Sequence, residues 1–276
     1  MKSFQELRDR LQGEKVAPKG WKRPWGYITF QRGPSIYITW LLAHTPIQPD
    51  HVTKFGLFLG LLGCFFVFQF ETYYKLIGIF LLYMYLVLDR VDGELARFKK
   101  IYSLRGIYWD HIGHLILPPL FWFGLVFGLT KISVYELRYV LGFGTIGALA
   151  LMATRVIHSL PAQIYAKRFL KHRDLFVLPK KENVVIHDVV EPENQRGLIR
   201  SLLRPLANLQ DFFVILIIVT LALLLEQIFA PDEIFHIYLN RVVVVGNLLF
   251  IAFALEVAFR KAHSIETEIE SIERSG

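Results

Sequence analysis

Six apolar stretches, at 55–70, 76–88, 115–129, 140–152, 212–225 and 242–257, constrain this chain more than any other feature. A helix that crosses a bilayer needs about 20 predominantly apolar residues. Adding their flanks brings most of the stretches to that length. The pattern predicts an all-α integral membrane protein with six transmembrane helices, at about 52–70, 74–97, 105–129, 138–165, 204–229 and 240–261. Composition agrees, since 54% of residues are apolar and 20% charged, against roughly 45–50% and 25% in soluble domains.

The net charge of +7 is informative by location. Lys2, Arg8, Arg10, Lys15, Lys19, Lys22, Arg23 and Arg32 precede the first span, and Lys99 and Lys100 lie between the second and third. A further basic run, from Lys167 to Arg200, connects the fourth and fifth, and Arg260 and Lys261 close the sixth. The opposite loops are poorer in Lys and Arg. The positive-inside rule then puts both termini in the cytoplasm, with basic faces suited to anionic lipid. No basic domain stands apart from the membrane, so no nucleic-acid partner is expected. Residues 1–23 carry no apolar core of the signal-peptide kind. The single cysteine, Cys64, falls in an apolar stretch and reads as packing rather than as a disulfide or thiolate ligand.

Residues 1–50 read as a cytoplasmic amphipathic and interfacial segment, 51–262 as the transmembrane domain and 263–276 as a polar tail. Phe4, Leu7 and Leu11 fall on one helical face, and Trp21, Trp25 and Tyr27 suit an interfacial belt. The stretch 35–44 is too short to span and reads as an interfacial juxtamembrane helix. Pro46 and Pro49 break the chain after it, and Asp50 is placed to cap the first span. The insert at about 167–203 is a solvated loop or a short hairpin built on 174–178 and 183–190.

One segment does not read as ordinary membrane helix. Asp89 and Asp92 end the second apolar stretch, and Asp110 and His114 precede the third. Ionisable groups at membrane depth are costly and are functional candidates by default. Asp89, Asp92, Gly93 and Ala96 fall at i, i+3, i+4 and i+7, one face of one helix. Gly106 and Asp110, with Gly113 or His114, make a similar stripe on the next. Small residues let two membrane helices approach closely. Carboxylates converging from two helices suit one or two hard divalent cations, Mg²⁺ or Mn²⁺, that leave sites for phosphate. The competing reading makes these aspartates structural partners of Arg90, Arg97 or Arg105.

The run Asp89-x2-Asp92-Gly93-x2-Ala96-Arg97-x8-Gly106-x3-Asp110-x3-His114 resembles the signature of the CDP-alcohol phosphotransferases, D-x2-D-G-x2-A-R-x8-G-x3-D-x3-D. Seven of its eight fixed positions match with every gap length kept, over 26 residues. Pro49-Asp50-x2-Thr53 is also similar to the family's P-N-x2-T entry to its first span. The resemblance implies a homodimeric membrane transferase that binds a CDP-alcohol at the cytoplasmic face, passes its phosphoalcohol to an acceptor hydroxyl and releases CMP. Asp89, Asp92 and Asp110 would hold metal. Gly93, Ala96 and Gly106 would make room for the CDP moiety, and Arg97 would contact it. Apart from the resemblance, Arg155 on the fourth span is placed either to bind an anionic acceptor or to snorkel or pair with a motif carboxylate.

The chain departs from the signature at its last position. The family's fourth aspartate, regarded as its general base, is His114 here. Three readings stay open: a substitute base working near neutrality, a metal ligand, or an inactivating change. The product would be a phospholipid. The stretch 25–53 also resembles the transferase part of di-myo-inositol-phosphate-phosphate synthases, which keeps a soluble phosphodiester in view. A catalytically silent homologue that binds nucleotide or lipid is the rival of another class. A transporter is disfavoured, because the chain shows neither paired repeats nor broken helices.

Overall fold

A computed structural model of the chain describes residues 8, 11, 12, 27–129, 142, 144–171, 211–229 and 237–275. Among these the protein is all-helical. A π-helical turn, Tyr27–Arg32, leads into α1 (Gly33–Ala43), followed by α2 (Pro49–Val67), α3 (Thr72–Lys99) and α4 (Leu104–Phe127). Then come α5 (Thr145–Lys171), α6 (Phe212–Phe229) and α7 (Ile237–Ser275). Most of the 2–15 segment, the Trp21–Trp25 belt, the 174–190 hairpin and the starts of the fourth and fifth predicted spans lie outside the described residues.

Among the described residues, four helices are long and apolar enough to cross a membrane: Pro49–Val67, Leu104–Phe127, Phe212–Phe229 and the Arg241–Ala262 part of α7. The remaining two long helices carry more charge, with Lys75, Asp89, Arg90, Asp92, Glu94, Arg97 and Lys99 on α3 and Arg155, Lys167, Arg168 and Lys171 on α5. Apolar side chains cover the outer faces. Phe55, Phe58 and Phe65 of α2 and Leu248, Leu255 and Phe259 of α7 are all more than half exposed. Exposed apolar surface on this scale marks a lipid-facing or partner-facing wall rather than a soluble exterior.

The bundle is organised on the α2–α3 hairpin. Gly63 and Gly78 meet backbone to backbone: a Cβ on Gly78 would lie 2.6 Å from the Gly63 carbonyl oxygen, and one on Gly63 2.8 Å from that of Gly78. Only glycine permits that approach. Cys64, Val67, Leu82 and Leu86 continue this seam into a core with Leu117, Phe121 and Trp122 of α4 and Val219 of α6. Burial pins Cys64 there, in the packing role expected for it. Trp122 is held on the far side by a hydrogen bond from its Nε1 to Asn247 Oδ1 (2.9 Å) and by Phe250, edge-on at 4.8 Å.

The reversal from α3 to α4 brings the two signature stripes face to face. Lys100 ends α3 in the left-handed conformation, φ 55°, which lets the chain turn within three residues. Ser103 then caps α4, accepting from the Arg105 and Gly106 amides at 3.2 and 3.3 Å. Its own hydroxyl donates to Asp50 Oδ2 at 2.8 Å. Asp50 is therefore not the cap of α2. Proline at the first helical position moves that boundary two residues earlier, to a cap at Gln48, and the Gln48 amide donates to His51 Nδ1 at 3.4 Å. Asp50 in the first turn instead ties the start of α2 to the start of α4.

Candidate functional site

Three helices build the site. Asp89 and Asp92 come from α3, Asp110 and His114 from α4, and Thr53 from α2. The i, i+4 spacing places Asp110 and His114 on one face of α4, and the turn at Lys100 aims that face at α3. His114 Nε2 lies 3.0 Å from Asp89 Oδ1 and 3.4 Å from Asp110 Oδ1. The other Asp89 oxygen pairs with Arg90 Nη1 at 3.1 Å, so the expected structural ion pair and the clustering of site residues coexist at one carboxylate. Asp92 turns toward α2, where its Oδ2 accepts from Thr53 Oγ1 at 2.6 Å.

Donor atoms of Asp89, Asp110 and His114 all lie within 4.8 Å of one another, an arrangement that fits one divalent cation. The observed 3.0 and 3.4 Å separations match ligands about 3 Å apart around an ion at roughly 2.1 Å. An imidazole nitrogen is softer than the all-oxygen surroundings Mg²⁺ favours, which tilts this set toward Mn²⁺. Nε2 has a single lone pair, so ligation and proton abstraction by that atom exclude each other.

Beside this cluster is a small pocket, open at one side, lined by Thr53, Gly56 and Leu57 of α2, Tyr85, Asp89 and Asp92 of α3, and Trp109 and Asp110 of α4.

The remaining predicted residues lie around this centre rather than in it. Gly106 faces Asp50, whose Oδ1 would be 2.7 Å from a Cβ at that position. Gly93 faces the Arg97 guanidinium, 3.5 Å from where its Cβ would be. Ala96 is half-buried on the same stretch of α3, and its carbonyl accepts from the Ile101 amide as the helix ends. Arg97 is half-buried, with its Nε enclosed and making no hydrogen bond. Arg155, half-buried on α5, is close enough for its charge to act on His114 and Tyr85.

Two features escaped sequence reasoning. Glu94, in a variable position of the signature, is fully buried. It accepts from Gln12 Nε2 (2.7 Å), Ser35 Oγ (2.9 Å) and Thr39 Oγ1 (2.8 Å), with Arg32 Nη1 at 3.5 Å. Arg32, Ser35 and Thr39 fall at i, i+3 and i+7, a polar stripe on an otherwise apolar helix, and that stripe was the available signal. The second feature is Tyr85, which nothing in the sequence singles out.

No protein-family profile matches the chain, and no curated protein matches it. The likeness to the transferase signature thus stands on its own residues.

Proposed function

We propose that the chain is a CDP-alcohol phosphotransferase with six transmembrane helices, α3 and α5 among them, and both termini in the cytoplasm. The observation that supports this most is the convergence of Asp89, Asp110 and His114 beside a pocket that Asp92 also lines. Structural ion pairing alone would not require a third and a fourth ionisable side chain around a cavity.

In this reading the acceptor hydroxyl attacks the β-phosphorus of the donor. The new P–O bond forms as the bond to the CMP oxygen breaks, and the hydroxyl proton leaves to a base. A divalent cation held by Asp89, Asp110 and His114, with Asp92 beside it, would neutralise phosphoryl charge. Asp92 is oriented by Thr53, and Asp89 by Arg90. Enclosure between three helices limits water, which favours transfer over hydrolysis. Gly93, Ala96, Arg97 and Gly106 surround the CDP moiety, and Arg155 supplies positive charge for an anionic acceptor. The product is a phospholipid, the metal Mg²⁺ or Mn²⁺, and the assembly a homodimer in a membrane (the cell membrane if the source is prokaryotic), its active site facing the cytoplasm.

The position of His114 between two carboxylates also favours a second reading. An imidazolium there would balance Asp89 and Asp110 as a cation does, leaving a homologue that binds nucleotide without turnover.

CMP release by the purified protein in detergent, with Mn²⁺ or Mg²⁺ and a panel of CDP-alcohols and acceptors, tests both. Metal-dependent release that falls at least about a hundredfold in Asp110→Ala is the expected outcome, that being the scale for loss of a transition-state electrostatic contact. Extraction of the product into organic solvent separates a phospholipid from a soluble phosphodiester. Release by His114→Asp but not by the native chain would establish the silent homologue.

A further inference from the structure

The pocket contains a hydrogen-bond donor that no described residue uses. Tyr85 is 5% exposed, and its hydroxyl is buried with no hydrogen-bond partner among the described residues. It lies one turn before Asp89 on α3 and lines the same pocket as Asp89, Asp92 and Asp110. Its ring packs edge-on against the His114 imidazole, with centroids 6.2 Å apart at 64°. The hydroxyl fits because α4 has glycine opposite it: a Cβ on Gly113 would come within 2.8 Å of the phenolic oxygen.

Burying a hydroxyl without a partner is unfavourable, whereas phenylalanine would fill the same space without that penalty. None of the carboxylates that line the pocket accepts a hydrogen bond from the Tyr85 hydroxyl. Asp89 contacts His114 and Arg90 through its two oxygens, and Asp92 Oδ2 accepts from Thr53. Thr53, the other hydroxyl in the lining, is spent on that bond. A pocket walled by three carboxylates offers an anionic ligand few donors, and Tyr85 is a buried, uncommitted one.

We propose that the Tyr85 hydroxyl donates a hydrogen bond to a phosphoryl oxygen of the ligand bound between α2, α3 and α4. The assignment of that oxygen to the transferred phosphoryl group rests on the transferase reading. The phenol acts as a substrate-binding group. It needs no proton transfer, and its hydrogen bond is made only when the pocket is filled.

Binding of CDP and of CMP, each with Mn²⁺, to the native protein and to Tyr85→Phe tests this by calorimetry in detergent. CMP lacks the β-phosphoryl group and is the control. Tyr85→Phe should bind CDP about tenfold more weakly, the order expected for one hydrogen bond to a charged group. CMP and Mn²⁺ alone should bind as they do to the native chain. The ligand-free melting temperature should be unchanged or higher, a result that a structural hydroxyl would not give. Equal CDP affinity in the two proteins overturns the assignment alone. A lower ligand-free melting temperature also overturns it, because the hydroxyl would then have a partner in the empty protein. Failure of the native protein to bind either nucleotide overturns the transferase reading, and this assignment with it.

Discussion

Asp92 and Glu94 lie two residues apart on α3 and point to opposite sides of it. Asp92 accepts from Thr53 of α2, and Glu94 from Thr39 of α1, at 2.6 and 2.8 Å. Residues at i and i+2 cannot share a helix face. The signature segment is therefore fixed from two sides at once. Lys99 adds a third tie one turn later, donating to the Thr45 and Ile47 carbonyls of the α1–α2 connection at 2.6 and 2.7 Å.

Removing the Glu94 carboxylate should loosen that arrangement. Glu94→Ala would remove the carboxylate 3.5 Å from the buried Arg32 guanidinium and take the shared acceptor from Gln12, Ser35 and Thr39. The expected loss is about 3–5 kcal/mol, with a smaller one for Glu94→Gln, which keeps an acceptor oxygen. Thermal unfolding in detergent measures both. Faster proteolysis near residue 12 in Glu94→Ala than in Glu94→Gln would locate the effect at the amino-terminal contact.

If His114 is a ligand, Mn²⁺ affinity depends on pH with a definite sign. The protonated imidazole has no lone pair at Nε2, so binding weakens on acidification and strengthens as the imidazole loses its proton. His114→Asp should shift that dependence toward about pH 4, where carboxyl groups titrate. Mn²⁺ titration followed by electron paramagnetic resonance reads the profile. An unchanged profile in His114→Asp would remove His114 from the coordination shell.

The Gly63–Gly78 contact leaves no room for a side chain. In Gly78→Ala the added carbon would meet the Gly63 carbonyl at 2.6 Å and Val67 Cγ2 at 2.7 Å, forcing α2 and α3 apart. A loss of about 1–3 kcal/mol is expected, as for other overpacked cores. Gly93→Ala serves as control, since its nearest neighbour is a flexible guanidinium at 3.5 Å. A melting temperature lowered in Gly78→Ala and kept in Gly93→Ala would match.

Lys100 is the only non-glycine residue with positive φ among the described residues. A side chain in that conformation costs roughly 1 kcal/mol. Lys100→Gly should relieve most of this, offset in part by the greater backbone freedom of glycine when unfolded. A small rise in melting temperature is the expected result.

The helical stretches and the site stripes could be read from the sequence because both are local. Apolar run length places a membrane helix, and the 3.6-residue period puts Asp89 with Asp92 and Asp110 with His114 wherever the helices lie. The charge on α3 and α5 was equally visible, and among the described residues four helices meet a test of length and apolarity. The partner of Asp50 was not legible. A carboxylate at a helix start ordinarily caps its own helix, but Pro49 shifts the boundary, and Ser103, 53 residues on, takes up the oxygen.

By itself, then, the sequence determined the helices, their apolar faces and the residues that share each stripe, because those follow from spacing along one chain. Only the tertiary structure decided that Glu94 anchors the amino-terminal segment, that Tyr85 brings an unused hydroxyl to the pocket and that His114 stands between Asp89 and Asp110. Each of these depends on a meeting between helices. The Gln12–Glu94 bond, for one, closes across 82 residues. Helical periodicity fixes which way a side chain points from its own axis, and packing alone fixes what it meets there.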